Sequence, residues 1–362
     1  MHTKKAAAVA LAAALGVTGL AACSTEDARE AAGKTGAPAP KTVTLVSHDS
    51  FNASKEVLAE FTKQTGLTVK VLKAGDAGEA VNKEILTKGS PQGDVFFGVD
   101  NTLLSRAVDN GIFVTYEAKG ADRIPDTFKL DERVTPIDTG DICVNYDKKY
   151  FADKKLAPPQ TFDDLAKPEY KDLLVVENPE RSSPGLGFLL GTVAKYGDEG
   201  WQDYWKKLKA NGVRTVDSWE LAYNQEFSGS AGGKEAKGDR PLVVSYASSP
   251  PVEVLYADPQ PKEAPTGVST GTCFRQIEFA GLLEGAKNPE GGKALIDFLV
   301  SKKFQDDMPL QMFVNPVAKD ATLPELFTKH GVVIGKPETV APEKIAANRE
   351  AWIQQWSSLV LK

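Results

Sequence analysis

Strand-like and helix-like segments alternate at the start of the folded part of the chain, and this order limits the fold more than any other feature. Apolar runs at Val43–Val46, Leu67–Gly75 and Gly93–Asp100 are typical of buried strands. Helical spacing of apolar residues lies between them, over Ser54–Gln64 and over Ala80–Thr87. Strands that alternate with helices form a parallel sheet with helices on both faces, so the sequence predicts an α/β fold.

Two longer extended segments interrupt this alternation. The first, Ile137–Phe151, leaves the opening lobe, and the second, near Gly271–Glu278, returns to it. The folded part, roughly 320 residues, is also larger than one hydrophobic core usually supports. We therefore predict two lobes joined by hinge crossings, with residues 42–139 and 275–362 in lobe 1 and residues 140–274 in lobe 2. A cleft between hinged lobes is a common ligand site.

Caps and apolar spacing predict further helices after the first crossing. They are a short helix at Phe162–Leu165, a helix capped by Ser182 or Ser183 with Pro184 in its first turn, and helices over 201–212, from about Trp219, over 291–308 and over 342–360. Trp352 and Trp356 fall on the apolar side of the last helix.

The first 41 residues are predicted to be a leader and a tether outside the fold. An apolar run, Ala6–Leu20, follows a basic start and is too short for a membrane span. The run ends in LAAC, which resembles a bacterial lipobox, so residues 1–22 are predicted as a lipoprotein signal peptide and Cys23 as the lipidated residue. A cleaved soluble export signal is the alternative. Residues 23–41 are polar and rich in Ala, Gly and Pro, as in a flexible tether.

Charge and composition argue against several classes of protein. The net charge of −6 and the isoelectric point near 5.4 do not suit a nucleic-acid partner. The three His residues form no ligand-like cluster, so no metal site is predicted. After Cys23 only Cys143 and Cys273 remain, in an oxidising compartment outside the cytoplasm. We predict a disulfide between them, joining the two crossing segments; two buried thiols are the alternative.

The stretch LVVSYASSP (Leu242–Pro250) joins a buried strand to a row of hydroxyls. Pro250 cannot donate to a sheet ladder, so the strand should end before it. The hydroxyls of Ser245, Tyr246, Ser248 and Ser249 then lie at or just past the C-terminal end of the strand, where open α/β sheets place ligands. An ordinary turn rich in Ser and Pro is the alternative.

Several motifs together resemble one family. These are VTLVSHDSF, FFGVDNTLLSRAVDNGIF, SSPGLGFLLGTV, SWELAYNQEF, VVSYASSP and NREAWIQQW, in unbroken order over nearly the whole folded part, with an extra loop at Ser228–Asp239. They are similar to the thiamine-binding substrate-binding proteins of bacterial ABC transporters. The resemblance implies a type II periplasmic-binding-protein fold, a monomer without cofactor or catalytic residues, and a permease and an ATPase on other chains. The LAAC motif, through lipidation of Cys23, predicts a lipid-anchored location on the outer face of the cell membrane.

The resemblance places the ligand contacts on positions spread along the chain. They are Asp49, Ser50, Ala77, Gly78, Ser182, Trp219, Tyr246, Ala247, Ser248 and Ser249. Thiamine carries a permanent delocalised cation, which Trp219, Tyr246 and Asp49 could accommodate. Ser182, at a helix start, would suit the hydroxyethyl arm or a phosphate on it. The alternatives are that Trp219 is a packed core residue and that the glycines after Ser182 only accompany helix capping.

The chain also departs from the family pattern. His48 stands where family members often have Tyr, Val252 and Glu253 follow SSP in place of an aromatic residue, and Phe313 replaces a Trp. These changes leave open another ligand on the same fold, such as ferric iron, a polyamine or a phosphonate. The chain has no adjacent pair of tyrosines of the kind that iron binders use. A thiaminase-like enzyme with Cys143 as nucleophile is a further alternative, which a disulfide at Cys143 would abolish.

Overall fold

The computed structural model describes residues 41–230 and 238–362. Predictions for the signal peptide, for Cys23 and for most of the tether therefore lie outside the described residues, as does the middle of the extra loop. The strands of the described chain are β1 (Thr42–Ser47), β2 (Thr68–Lys73), β3 (Val95–Asp100), β4 (Phe113–Val114), β5 (Thr135–Asp147), β6 (Leu174–Glu177), β7 (Arg214–Val216), β8 (Leu242–Tyr246), β9 (Thr266–Leu283) and β10 (Asn315–Pro316).

The α-helices are α1 (Lys55–Thr65), α2 (Ala77–Leu86), α3 (Leu104–Asp109), α4 (Lys148–Lys154), α5 (Phe162–Leu165), α6 (Ser183–Ala210), α7 (Trp219–Leu221), α8 (Pro250–Leu255), α9 (Pro289–Leu299), α10 (Lys302–Met312), α11 (Glu325–His330) and α12 (Pro342–Val360). A π-helix, Ala222–Glu226, continues α7, and short 3₁₀ turns occur at Ala121–Arg123, Asp126–Phe128 and Pro168–Tyr170. None of the described helices is both long enough and apolar enough to cross a lipid bilayer.

The strands form one mixed sheet with the order β2-β1-β3-β9-β5-β8-β6-β7, to which β4 and β10 add at β9 and β5. Strand β1 is parallel to β2 and β3 at one end, and β6 is parallel to β7 and β8 at the other. The long strands β5 and β9 pair antiparallel in the middle and join the two parallel blocks. The predicted α/β, two-lobed fold with two crossing segments is confirmed.

The helix starts and ends follow from local side-chain chemistry. Ser54 caps α1 by accepting a hydrogen bond from the Val57 amide, and Gly66 ends the helix at a φ of 73°, which suits a residue without Cβ. Helix α2 begins at Ala77, earlier than predicted, because the Asp76 carboxylate caps it. The predicted positions Ala77 and Gly78 therefore belong to the first turn of a helix and not to a loop.

Two other predicted boundaries were wrong, and a third was confirmed. The first crossing segment ends at Asp147, whose carboxylate caps α4, and does not continue to Phe151. The two helices predicted on either side of Gly197 are confirmed, because the span labelled α6 is divided at that glycine, whose φ of 71° and ψ of 178° are not helical. Conversely, the single helix predicted over residues 291–308 is divided into α9 and α10, because Ser301 caps a new helix.

The last helix, α12, packs against elements from both predicted lobes. The Trp356 ring lies 5.3 Å from that of Trp205 on α6 in an edge-to-face arrangement, and both rings are fully buried. Arg106 on α3 forms an ion pair with Glu350 on α12. The lobe boundaries given above remain a prediction, since α12, assigned to lobe 1, contacts α6 of predicted lobe 2.

Cys143 and Cys273 form a disulfide between β5 and β9, as predicted. Their Cα atoms are 4.2 Å apart. The register of β9 shifts at this point, where Ser269 and Phe274 are paired with Val144 and Ile142 on either side of Cys143. The thiaminase-like alternative needs a free thiol at Cys143, and the disulfide removes it.

Candidate functional site

A small cavity of about 40 Å³ lies where the ends of several elements meet between the two parallel blocks of the sheet. It is lined by His48, Ser50, Asp76, Ala77, Ser183, Pro184, Trp219, Tyr246, Glu278, Met312 and Val314. A wider groove of about 320 Å³ adjoins it and shares Ser50, Trp219 and Met312 with it. We call the small cavity and the groove together the cleft. Val252 and Phe313, noted above as departures, line the groove.

Trp219 is the main aromatic surface of the cleft. Its ring stacks on Tyr223 at 5.1 Å, with 15° between the planes, and lies 6.5 Å from the ring of Tyr246. The indole N–H donates a hydrogen bond of 3.0 Å to the Ser245 hydroxyl. Trp219 is only half-buried and borders both parts of the cleft, so it is not a fully packed core residue.

The hydroxyls at the end of β8 largely hold this surface in place. Ser249 Oγ lies 2.9 Å from Ser245 Oγ and accepts a hydrogen bond from the Tyr246 amide. The Ser248 hydroxyl donates to the Phe313 carbonyl at 2.6 Å. The strand ends at Tyr246, before Pro250 as predicted, and a helix that was not predicted, α8, begins at Pro250. The row of hydroxyls therefore orients Trp219 and fixes the loop after α10.

The start of α2 connects the two sides of the cleft directly. The Asp76 carboxylate accepts hydrogen bonds from the amides of Ala77 and Trp219, at 2.6 and 3.0 Å. The Gly78 amide donates to the Arg181 carbonyl at 2.9 Å, and a Cβ at Gly78 would lie 2.6 Å from that oxygen. Only glycine permits this close approach.

Buried acidic groups form the floor of the cleft. Glu278 on β9 lies 3.5 Å from the Nε2 atom of His48. Asp138 is opposite Glu278 in the register of β5 and β9, and burial together with the Glu278 charge raises the pKa of Asp138 well above its usual value. Burial raises the pKa of Asp100 to about 6, although hydrogen bonds from Thr102 and Gln276 oppose the shift.

Apart from His48 and the tyrosines, the titratable side chains that line the cleft are acidic. Burial raises the pKa of Asp76, while hydrogen bonds from the Trp219 and Ala77 amides favour its charged form. Glu220 borders the groove and accepts a 3.1 Å hydrogen bond from Ser50. No Lys or Arg is among the described residues that line either part. This arrangement suits a ligand that carries positive charge.

The structure brings together only part of the predicted set. Ser50, Ala77, Trp219 and Tyr246 line the cleft. Ser182 is buried beside Asp76, without a hydrogen bond of standard geometry.

The other predicted positions, Asp49, Gly78, Ser182, Ala247, Ser248 and Ser249, are not among the residues that line the cleft. Asp49 is exposed, and its carboxylate accepts a hydrogen bond from the Gly75 amide. Ala247 packs in an apolar cluster with Cys143 and Cys273. The role of each predicted residue toward a ligand stays a prediction.

Sequence reasoning missed the acidic residues of the cleft. Asp76 had a signal, because an Asp before an Ala-rich helix start is a common cap. No sequence signal identified Glu278 or Asp138, because a single carboxylate within an apolar crossing strand does not show which face of the sheet it lies on. Within the described residues, no cluster of three or more His, Cys, Asp or Glu side chains could hold a metal ion.

Comparisons with known proteins agree with this architecture. Residues 90–246 match the family described as bacterial extracellular solute-binding protein. The thiamine-binding periplasmic protein of Escherichia coli K12 is 31% identical over 88% of this chain and 93% of its own length. The corresponding protein of Salmonella typhimurium is 30% identical over the same shares of the two chains.

A solved structure has a similar fold. A periplasmic thiamin binding protein superimposes with a TM-score of 0.75, at 28% sequence identity, over 90% of this chain and 98% of that chain. The chain belongs to the family of bacterial extracellular solute-binding proteins that includes these thiamine-binding periplasmic proteins.

Proposed function

We propose that the protein captures thiamine outside the cytoplasmic membrane and delivers it to the permease and ATPase of an ABC importer. The observation that carries this proposal is the half-buried Trp219 ring beside the carboxyl groups of Asp76, Glu220 and Glu278, with no Lys or Arg among the described residues that line the cleft. A delocalised cation is attracted both by an aromatic face and by nearby negative charge. The names of the similar proteins support the same ligand.

The parts of the cleft match the parts of thiamine. The thiazolium cation suits the space between Trp219 and the carboxylates of Asp76 and Glu278. The aminopyrimidine ring needs both donors and acceptors, which the Ser50 hydroxyl and the Glu220 carboxylate provide in the groove. The wider groove has room for the second ring, with a volume of about 320 Å³.

A polyamine is the second candidate, because carboxylates at Asp76, Glu220 and Glu278 are also partners for ammonium groups. The stacked Trp219 favours thiamine, since a flexible aliphatic chain gains less from a flat aromatic face than a ring does. Calorimetric titration of residues 42–362 with thiamine, its phosphates and spermidine separates these ligands. Tighter binding of spermidine than of thiamine would contradict the proposal.

Replacement of Trp219 by alanine is expected to weaken thiamine binding about tenfold to a hundredfold, or about 1–3 kcal/mol, through loss of the aromatic face. Trp219→Phe keeps a ring and is expected to lose less. Trp352→Phe, in a buried position on α12 away from the cleft, is the matched control and should bind as the wild type does. Calorimetry, together with quenching of tryptophan fluorescence by thiamine, measures these effects. Unchanged affinity in a folded Trp219→Ala protein would show that Trp219 does not contribute to thiamine binding.

We propose further that the protein is a monomer held at the outer face of the membrane through lipidated Cys23. An acylated cysteine that bears more than one chain anchors a protein stably. In cells, Cys23→Ser is expected to move the protein from the membrane fraction to the soluble extracytoplasmic fraction. Fractionation followed by immunoblotting measures this, and cleavage of the signal is checked by mass. A cleaved Cys23→Ser protein that stays on the membrane would rule out this anchor.

A further inference from the structure

We propose that His48 controls the binding of cationic ligands in the cleft. In the unliganded protein its protonated ring is the positive partner of Glu278. A bound cationic ligand becomes the partner of Glu278 instead, and the His48 ring loses its proton. The proposal rests on the proposed function, because it requires a cationic ligand in this cleft. His48 is one of the positions at which this chain departs from the resembling family.

The position of the His48 ring supports this role. The ring is held between the Phe97 ring, 5.6 Å away, and the backbone of Gly98 on β3. Gly98 has a φ of 100°, and a side chain there would collide with the His48 ring. The Nε2 atom points to Glu278 at 3.5 Å, and His48 borders the same small cavity as Asp76 and Trp219. A ligand in that cavity therefore lies against the imidazole.

Acidic groups from three parts of the chain lie near His48. Asp49 lies on its own loop, Asp76 precedes α2, and Glu278 stands on β9. Asp138 on β5 and Asp100 on β3 lie behind Glu278, and the Tyr246 hydroxyl group of β8 borders the same cavity.

The net effect of these groups favours the protonated ring. Burial lowers the pKa of His48, but the negative charge of nearby Glu278, together with the charges of Asp76 and Asp49, outweighs burial. The pKa of His48 is therefore raised above its usual value.

A bound cation reverses this balance. In a space of about 40 Å³, an imidazolium and a thiazolium would repel each other and compete for Glu278. The ligand takes over the negative partner, and the imidazole releases its proton to solvent. The unliganded protein then binds more protons than the complex, so affinity rises with pH. Release of one proton makes the affinity increase up to about tenfold per pH unit within the titration range of His48.

Wild-type protein tests the proton release without any substitution. Thiamine is titrated calorimetrically between pH 5.5 and 8.5 in pairs of buffers that differ in ionisation enthalpy. We expect close to one proton released per thiamine at the acid end of the range and a dissociation constant that falls as pH rises. Binding with no proton release and no pH dependence would refute the role of His48. Absence of thiamine binding at every pH would instead overturn the proposed function, and this inference with it.

His48→Gln separates the charge of the ring from its packing. The variant removes the competing cation, so at low pH it is expected to bind thiamine more tightly than the wild type and to show a flatter pH profile. A merely structural role predicts weaker binding at all pH values. Protonation of thiamine itself affects the wild type and the variant equally, so a difference between their pH profiles is due to His48. His48→Asn gives a second neutral variant should the first fold poorly.

The protonation of the ring can also be observed directly. Residues 42–362 contain only two histidines, His48 and His330, so ring resonances in NMR spectra are assigned by comparison with His48→Gln. We expect thiamine at neutral pH to move the His48 ring signals to the neutral form while His330, on α11, is unchanged. A His48 ring that stays protonated in the complex would contradict the proposal.

Discussion

Replacement of both Cys143 and Cys273 by serine is expected to lower the free energy of unfolding by about 4 kcal/mol. The disulfide joins residues 130 positions apart, so it restricts a large part of the unfolded chain. It also holds β5 to β9 at the point where their register shifts. Denaturant unfolding of residues 42–362, followed by circular dichroism, measures the change.

Reduction provides the control for this prediction. A reducing agent should destabilise the wild type by a similar amount and leave the double-serine variant unchanged. Equal stability of the oxidised wild type and the variant would show that the cross-link contributes little. Two free thiols in unfolded, unreduced protein, detected by mass after alkylation, would show that the cross-link does not form.

The second large effect is expected for Trp356→Ala, which should cost about 3–5 kcal/mol of stability. Trp356 is fully buried and packs edge to face on Trp205, so truncation leaves a cavity between α12 and α6. Its neighbour Gln355 is exposed, and its side-chain oxygen accepts a hydrogen bond from Gln202 Nε2 at the surface. Gln355→Ala is therefore the matched control and should change stability by less than about 0.5 kcal/mol. A loss for Trp356→Ala no larger than that of the control would show that α12 is not part of the cooperative core.

The fold could be predicted well where neighbouring residues determine it. The strand–helix alternation before Asp100 and the end of β8 before Pro250 depend on local patterns, and the structure contains both. The disulfide could be predicted because only two candidate cysteines remain beyond the leader. The division of residues 291–308 into two helices was missed, because apolar spacing continues across Ser301 and hides the new cap.

The site was less predictable, because its geometry depends on contacts between distant parts of the chain. Trp219 was identified, but its orientation depends on Ser245, and its amide is held by Asp76, 143 positions earlier. The acidic floor depends on the pairing of β5 with β9, which places Asp138 opposite Glu278. No local pattern encodes such pairings. The packing of α12 on α6 was missed for the same reason.

The hydrogen bonds across the cleft have a consequence for the speed of ligand capture. Asp76 to Trp219, Gly78 to Arg181 and Ser50 to Glu220 all join the first parallel block to the second. The cavity proposed for the thiazolium ring has a volume of only about 40 Å³, so we expect these bonds to separate before thiamine enters. Each such bond contributes roughly 0.5–1.5 kcal/mol to the stability of the closed cleft, and the free energy needed to break all three weakens the observed binding of thiamine. At high thiamine concentration the association rate should therefore level off at the rate of opening.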